Sequence, residues 1–438
     1  MTTDLLAAAV ARIDPARLRE LAVGMTSIPS PTGDESALAG YAVAELSRHG
    51  VAARLQPLDE RQANAVGRIR GSGSGPVLLL YAPIDTLTTG TAADVPAIGA
   101  TLRSDMLATA RVDGDLVTGL GAGNPKGHAA CVTAAAEVIA GALQDTGERL
   151  QGDLVIGLGA GGMPINSPVL PGDTRCHTGQ GAGCSFLLEQ GVWPDAAVVA
   201  KPGWSVSWEE VGLAWFDVTV HGRHTYVGSR HKMPYRNAIA AAGVVVQRLE
   251  DWFEEYAARH TDGLVSPQGI VGAIAGGWLR MPAVTPASCT LRIDLRLSPR
   301  TSPAQARREL LGFLDTVKAE HPDLDIDVEP VLAIPGATTD RDHWIARRAR
   351  HAWEAVEGGR HADVPGMSGA TDATILRNRG IPTVRVGMPK VPGAPSEDFQ
   401  LGMNTVDVGE MARLTACLVR LALDVCTTPL AEIEEGTG

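Results

Sequence analysis

The sequence predicts an α/β fold in two parts: a discontinuous α/β domain interrupted by a four-stranded βαββαβ module. Three observations carry this prediction. Continuous apolar runs of strand length, VLLLYA (77–82), LVIGLG (154–159) and AAVVA (196–200), alternate with helical stretches, as strands buried on both faces of a mainly parallel sheet do. From about residue 207 the texture changes to strands that alternate in polarity around amphipathic helices, and after about 331 the first texture returns. Glycine is abundant (50 residues) and aromatics are scarce (4%), which suits many tight strand-to-helix turns.

Taken in order, the chain opens as helix, loop and helix. SIPSPTGDES (27–36) is the loop, Asp34 is placed to cap the next helix, and Leu38, Tyr41, Ala42 and Leu46 recur at helical spacing. Short strands near 52–57 and 64–70 precede the run at 77–82, and Lys126 to Leu143 reads as a helix of small residues. VGLAWFDVTVHG (211–222) alternates like a half-exposed strand, and NAIAAAGVVVQRLEDWFEEYAARH (237–260) is a long amphipathic helix. QGIVGAIAGG (268–277) and SCTLRIDLRLS (288–298) read as strands, SPAQARRELLGFLDTVKAE (302–320) as a helix and LDIDVEPV (324–331) as a last strand. That order is the ferredoxin-like one, with a single helical face. A helix at 343–357, the strand IPTVRVG (381–387) and a C-terminal helix from about 404 complete the first domain. The segments are therefore 1–206, 207–331 and 332–438.

Composition excludes several classes. The 438 residues are 45% hydrophobic and 20% charged, as in a folded globular protein. No apolar run approaches the length of a membrane span, and the opening MTTDLLAAAVARIDPARLRE has acids and no basic n-region, so neither membrane insertion nor a signal peptide is expected. With 38 Lys+Arg against 50 Asp+Glu, the net charge of −12 disfavours nucleic acid and anionic membranes as partners. Six cysteines without CxxC spacing form no disulfide framework, and a reduced cytoplasmic setting is expected. Eleven histidines leave room for a metal site.

The order of motifs resembles that of the acetylornithine deacetylase, succinyl-diaminopimelate desuccinylase and glutamate carboxypeptidase superfamily of dinuclear zinc peptidases. SIPSPTGDES resembles its opening loop and VLLLYAPIDT the strand ending in Gly-His-x-Asp. GLGAGNPKGHAA (119–130) is similar to Gly-Arg-Gly-x-x-Asp-Met-Lys-Gly-Gly, PDAAVVAKPG (194–203) to the segment ending in Glu-Pro, and SGATDATILRNRGIPTVRVG (368–387) to the Gly-x-Thr-Asp-Ala motif. HGRHTYVG…RNAI (221–239), AGG (275–277) and IDLR (293–296) fit the inserted domain in order. The resemblance implies a zinc-peptidase-like α/β domain with an inserted lid and dimerisation domain, and hence a homodimer.

The departures concern the metal. Where the resemblance places ligands, this chain has Pro83 two residues before Asp85, Asn124 for the bridging aspartate, Lys201 for the carboxylate before Pro202, and Gly393 in GAPSEDF for the last histidine. The Glu-Glu pair that would supply a ligand and the general base aligns with Gly161 and Gly162. Zinc needs deprotonated N, O or S donors. Proline and glycine offer none, asparagine is a weak neutral donor, and an ammonium repels the cation. No metal and no other cofactor is therefore expected.

Each remaining candidate has two readings. Asp85 is either a free carboxylate at a strand end or a turn acceptor. Lys201 either lends positive charge to the crevice, as oxyanion stabiliser, base or nucleophile, or is salt-bridged. His128, which replaces a family glycine one turn into a helix, is an acid–base candidate or a core histidine. Lys126 matches a family lysine and contacts substrate or supports the fold. In NSPVLPGDTRCHTGQGAGCSF (166–186), His177, Cys176 and Cys184 are candidates without a nucleophile signature. In the inserted domain the family's site histidine falls at Tyr226, with His224 two residues earlier, and Arg296 matches the arginine that binds a substrate carboxylate, unless it pairs with Asp294. Glu209 and Glu210 read as surface residues of an edge strand, and Asp372 as structural or substrate-side.

The leading expectation is a metal-independent enzyme that acts on an amide-type C–N bond of a small anionic substrate, by hydrolysis, elimination or condensation. In it Arg296 holds a carboxylate, Lys201 and Tyr226 stabilise developing charge, Asp85 or His128 moves protons, and Asn124 and Lys126 line the crevice. One alternative is a non-catalytic binding protein of the same fold. Another is a metallohydrolase with a relocated site built from Asp85, His128, His177 and cysteines.

Overall fold

The computed structural model describes residues 3–99, 101–168, 170, 172–389, 391 and 403–435. In chain order its elements begin with α1 (Thr3–Ala11), α2 (Pro15–Thr26), α3 (Ser36–Arg48), β1 (Ala52–Pro57), β2 (Ala63–Ile69) and β3 (Leu78–Pro83). There follow α4 (Val95–Ile98), β4 (Arg111–Asp113), β5 (Leu116–Thr118), α5 (Gly127–Thr146), β6 (Leu154–Gly159), α6 (Ala182–Glu189) and β7 (Ala196–Ala200). Next come β8 (Glu209–Glu210), β9 (Gly212–His221), α7 (Ala238–His260), β10 (Gly269–Gly276), β11 (Ser288–Leu297), α8 (Pro303–Glu320), β12 (Ile326–Ile334) and β13 (Ala337–Thr338). The last are α9 (Trp344–Glu357), α10 (Ala373–Asn378), β14 (Thr383–Val386), β15 (Thr405–Asp407), α11 (Val408–Cys426) and α12 (Leu430–Glu435).

The chain forms two compact units. The first comprises Met1–Trp208, Thr339–Asp363 and Thr371–Gly438. Its sheet has the order β1-β2-β6-β3-β7-β14, with β3 parallel to β6 and β7, β14 parallel to β7, and β1 and β2 added antiparallel. Every residue of β3 and β6 is buried, which accounts for their unbroken apolar runs. Leu79 and Tyr81 pack with Leu187 and Leu188 of α6 and Leu376 of α10. Alternation sends Leu78 and Leu80 to the other face, where α5 and α11 lie on β3. The alanines of α5 permit that close approach, and the helix is buried along most of its length.

Asp34 does not cap α3, contrary to the sequence expectation. Its carboxylate receives hydrogen bonds from Arg61 (2.8 and 3.2 Å), a stronger partner than a backbone N–H. Glu35 takes the cap position without capping α3 through its side chain.

The second unit comprises Glu209–Thr338 and the short return Val364–Ala370. Its antiparallel sheet has the order β10-β11-β9-β12, and α7 and α8 share one face. Phe216, Val218 and Val220 of β9 and Leu291, Ile293 and Leu295 of β11 point into a core closed by Leu249, Trp252, Phe253, Leu310 and Leu314. Asn237 caps α7 through Ile239 N (3.0 Å), and Ser302 caps α8 through Gln305 N (3.1 Å), with Pro303 opening the first turn. Glu209 and Glu210 are buried in this unit rather than exposed on an edge. Glu209 accepts from Leu264 N (2.7 Å) and pairs with Arg300 (2.6 Å), which offsets the cost of burying its charge.

Candidate active site

The C-terminal ends of the parallel strands are where open α/β sheets place ligands. In the first unit β3 delivers Pro83 and, two residues on, Asp85; β6 delivers Gly161 and Gly162; β7 delivers Lys201. A Cβ built on Gly162 would lie 2.5 Å from Pro83 Cβ and 3.1 Å from a carboxylate oxygen of each of Asp85 and Asp372. Asp372 is thereby brought to the same corner, although it lies far away in sequence.

Asp85 is fully buried and accepts three hydrogen bonds. They come from Gly162 N (2.8 Å), Met163 N (2.8 Å) and the Thr32 hydroxyl (2.7 Å). A carboxylate so occupied holds the loop after β6. These contacts agree with the turn-acceptor reading of Asp85.

Lys201 is buried, and its Nζ donates to Asn124 Oδ1 at 3.2 Å. Asn124 is half-buried in a distorted helical turn over Ala122–Lys126 that leads into α5. Because Asn124 accepts through Oδ1, its Nδ2 group faces away from the ammonium. The ammonium and the Asn124 side-chain amide thus meet at the ends of the parallel strands.

His128 is 1% exposed and has both ring nitrogens engaged. Nδ1 donates to Gly123 O (2.8 Å), and Nε2 accepts from Met388 N (3.1 Å), which makes the ring neutral. Burial, reinforced by the nearby Lys201 cation, pushes its pKa down to about 3. Of the two readings of His128, this geometry agrees with the core histidine. Lys126 is fully buried and donates to Ile28 O (2.6 Å); burial lowers its pKa to about 7. It thereby pegs the backbone at Ile28.

His177 is exposed with left-handed backbone (φ 61°), on a loop anchored by Arg175 to Gly33 O (2.7 Å), Asp59 and Asp173. Its ring has no hydrogen-bonding partner among the described residues. Cys184 is buried, and burial raises its thiol well above the usual range, which keeps it inert. Cys176 is exposed on the His177 loop.

The other candidates belong to the second unit. Tyr226 is 55% exposed, and His224 Nδ1 lies 2.9 Å from Thr285 O. Arg296 is paired with Asp294 through Nε (2.9 Å) and Nη2 (3.1 Å), and Trp215 Nε1 donates to the same carboxylate (2.9 Å). Its Nη1 is outside that pair.

Sequence reasoning missed Glu35. Its carboxyl is fully buried, and Oε1 accepts from Gly33 N (3.0 Å) and Gly161 N (2.9 Å), while Oε2 has no hydrogen-bond partner among the described residues. Burial, with the Asp85 charge close by, raises its pKa to about 8. A glutamate at a helix start reads as a favourable N-terminal acid, so no sequence signal distinguishes it.

Comparison with known proteins places these residues in a recognised fold. Residues 209–322 match the family model for the M20 peptidase dimerisation domain. Over the whole chain, the structure is similar to the aminopeptidase PepT of Bacillus cereus, with 16% identity, 94% of this chain and 99% of that chain covered, and a TM-score of 0.65. It is similar to the dipeptidase Dug1p of Saccharomyces cerevisiae at 11% identity, with 98% and 100% covered and a TM-score of 0.70. The Bacillus subtilis YxeP protein, a dinuclear metal-binding peptidase of the M20 family, matches at 15% identity, with 94% and 99% covered and a TM-score of 0.61.

The sequence resemblance implies a metal pair at the strand ends, and the side chains found there offer it few donors. Pro83, Gly161 and Gly162 have no donor, and Asn124 Oδ1 is taken by the Lys201 ammonium. Gly161 has φ 64°, and a Cβ there would collide with the Thr178 carbonyl oxygen, so the loop has no room for a ligand side chain. Gly393 lies outside the described residues. Among the described residues, the one cluster of three His, Cys, Asp or Glu groups with ligand spacing is Glu45, His49 and Glu137. The Arg17 guanidinium already bridges its carboxylates at 2.5 and 2.8 Å. The relocated site expected from Asp85, His128, His177 and cysteines does not assemble among these residues. This chain carries a peptidase dimerisation domain within a two-part α/β fold shared with M20 peptidases.

Proposed function

We propose that the chain is a metal-independent enzyme on this peptidase fold, acting on an amide-type C–N bond of a small carboxylate-bearing substrate. One observation carries the reading: the buried Lys201 ammonium, 3.2 Å from Asn124 Oδ1 at the ends of the parallel strands. Hydrolysis of an amide and its reverse, condensation, both develop negative charge on the carbonyl oxygen. A fixed ammonium and a neighbouring amide N–H group are donors suited to that oxygen. Lys201 then supplies as a point charge what metals supply elsewhere. The preference for a carboxylate is what the sequence resemblance implies for Arg296, which is paired with Asp294 within the second unit.

A second reading, a non-catalytic binding protein, is favoured by the saturation of Asp85 and His128, which leaves no acid–base pair among the described candidates. Purified protein assayed on a panel of N-acyl amino acids, with metal analysis, separates the two. Chelator-resistant turnover that falls about 100-fold or more in Lys201→Met supports the enzyme. Saturable binding without turnover, lost in Lys201→Met, supports the binder. Two equivalents of zinc with chelator-sensitive turnover overturn both.

The dimerisation-domain match also supports a homodimer formed through the second unit. The edge strand β10 exposes Ile270 and Ile274, and Trp278 and Leu279 follow it, also exposed. A bare apolar edge of this kind needs covering.

A further inference from the structure

A groove in the first unit reverses the charge of the chain around it. Val66 and Val155 form its floor, Arg54, Arg68 and Arg70 one wall, and Trp193 another, enclosing about 430 Å³. That volume is within the range of small-molecule sites. In the β1–β2 register Ala52 faces Arg68 and Arg54 faces Val66, so alternation projects the three arginines from one face of the ribbon. Arg68 is paired with Asp153 at 2.7 Å. Arg54 and Arg70 are exposed and meet no carboxylate among the described residues. Trp193 is 56% exposed, and nothing is stacked on its indole among the described residues. Neither Lys201 nor any other residue of the strand-end crevice lines this groove.

We infer that the groove binds a small ligand made of a planar ring and an oligophosphate chain, a nucleoside di- or triphosphate in chemical class. The indole face offers stacking to a ring. The guanidinium forks match phosphate oxygens and keep their charge at any physiological pH. Spacing selects the oligophosphate. Arg54 stands level with Val66, and Arg70 is four residues further along the ribbon, a rise of about 13 Å. A single phosphate or carboxylate reaches one end of that row, whereas a chain of phosphates spans it past Arg68. The inference is independent of the amide chemistry proposed above.

Isothermal titration of the full-length protein with ATP, tripolyphosphate and adenosine tests it. ATP is expected to saturate one site per chain, more tightly than either of the other two. Arg54→Ala/Arg70→Ala weakens ATP by about tenfold or more. Trp193→Ala weakens ATP by a similar factor and leaves tripolyphosphate within about twofold. All three side chains are exposed, so an unchanged melting temperature certifies the variants. Absence of saturable binding at millimolar ATP overturns the inference. So does tripolyphosphate or adenosine binding as tightly as ATP, or ATP binding that survives in both groove variants and is lost in Lys201→Ala.

Discussion

Glu35 and Asp85 grip the same loop from consecutive peptide groups: Glu35 takes Gly161 N–H, and Asp85 takes Gly162 N–H and Met163 N–H. Two buried carboxyls thus fix the turn after β6, where the resemblance places a pair of glutamates. If anchoring is the role of Asp85, its loss is read in stability. Asp85→Asn replaces one acceptor oxygen with an NH2 group facing a donor, and a hydrogen bond to a charged group contributes about 1.5–3 kcal/mol. Urea unfolding is expected to show a loss of about 2–3 kcal/mol. A variant as stable as wild type would contradict the anchoring role.

Glu35 gives this anchor a pH dependence. Its folded pKa is about 8 against an ordinary 4.5, so between those values the folded chain holds a proton that the unfolded chain has released. The contribution is fully present below about pH 4.5 and is lost as pH rises through about 8. Glu35→Gln keeps the shape and removes the titration. The stability advantage of wild type over Glu35→Gln is expected to shrink by more than ~1 kcal/mol from pH 5 to pH 8.5, measured by denaturant unfolding. An advantage that grows with pH has the wrong sign.

His128 works in the opposite direction. Its pKa falls from 6.5 to about 3, because burial and Lys201 disfavour the imidazolium. Below about pH 6.5 the unfolded chain binds a proton that the folded chain refuses, so stability present above that value is lost as pH falls toward 3. His128→Asn, which keeps one donor and one acceptor, is expected to flatten this acid limb in thermal melts between pH 6.5 and 4. An unchanged slope would show that His128 is not the group responsible.

Gly161 carries a steric prediction. At φ 64° an L-residue sits in the left-handed region, at a cost of about 1–2 kcal/mol. The collision of a Cβ with the Thr178 carbonyl oxygen adds to it. Gly161→Ala is expected to lose at least about 2 kcal/mol in equilibrium unfolding. If it is neutral, the loop has room for a side chain, and the case against a metal ligand at this position weakens.

The strands and long helices were legible because their hydrophobic periods are pure: β3 and β6 are buried throughout, and β9 alternates along its length. Asp85, Asn124 and Lys201 were legible through motif order. What they do was not, because it depends on partners the chain brings from elsewhere. The state of His128 is set by Gly123 O and by Met388 N, 260 residues away in sequence. Glu209 reads as an exposed edge residue until Arg300 and Leu264 N close over it. Glu35 looks like an ordinary helix-start acid until Gly161 N is seen to donate to it.

The second unit carries the last prediction. β10 has β11 on one side only, and Ile270 and Ile274 are 55% and 59% exposed, while Val271 packs against the core. The bulge between Val271 and Ala273 shifts the pleat, so that Ile270 stands opposite Asp294 and Ile274 opposite Leu291, and both remain exposed along the open edge. Ile239, at the start of α7, is also exposed at 43%. Unpaired backbone along an edge, flanked by isoleucines, favours pairing with a second copy. Ile270→Lys/Ile274→Lys places two charges beside that edge without touching the core. Light scattering after gel filtration is expected to give twice the chain mass for wild type and a single chain mass for the variant, with helix content unchanged. A wild type that is monomeric at micromolar concentration, or a variant that remains dimeric, assigns another role to this edge.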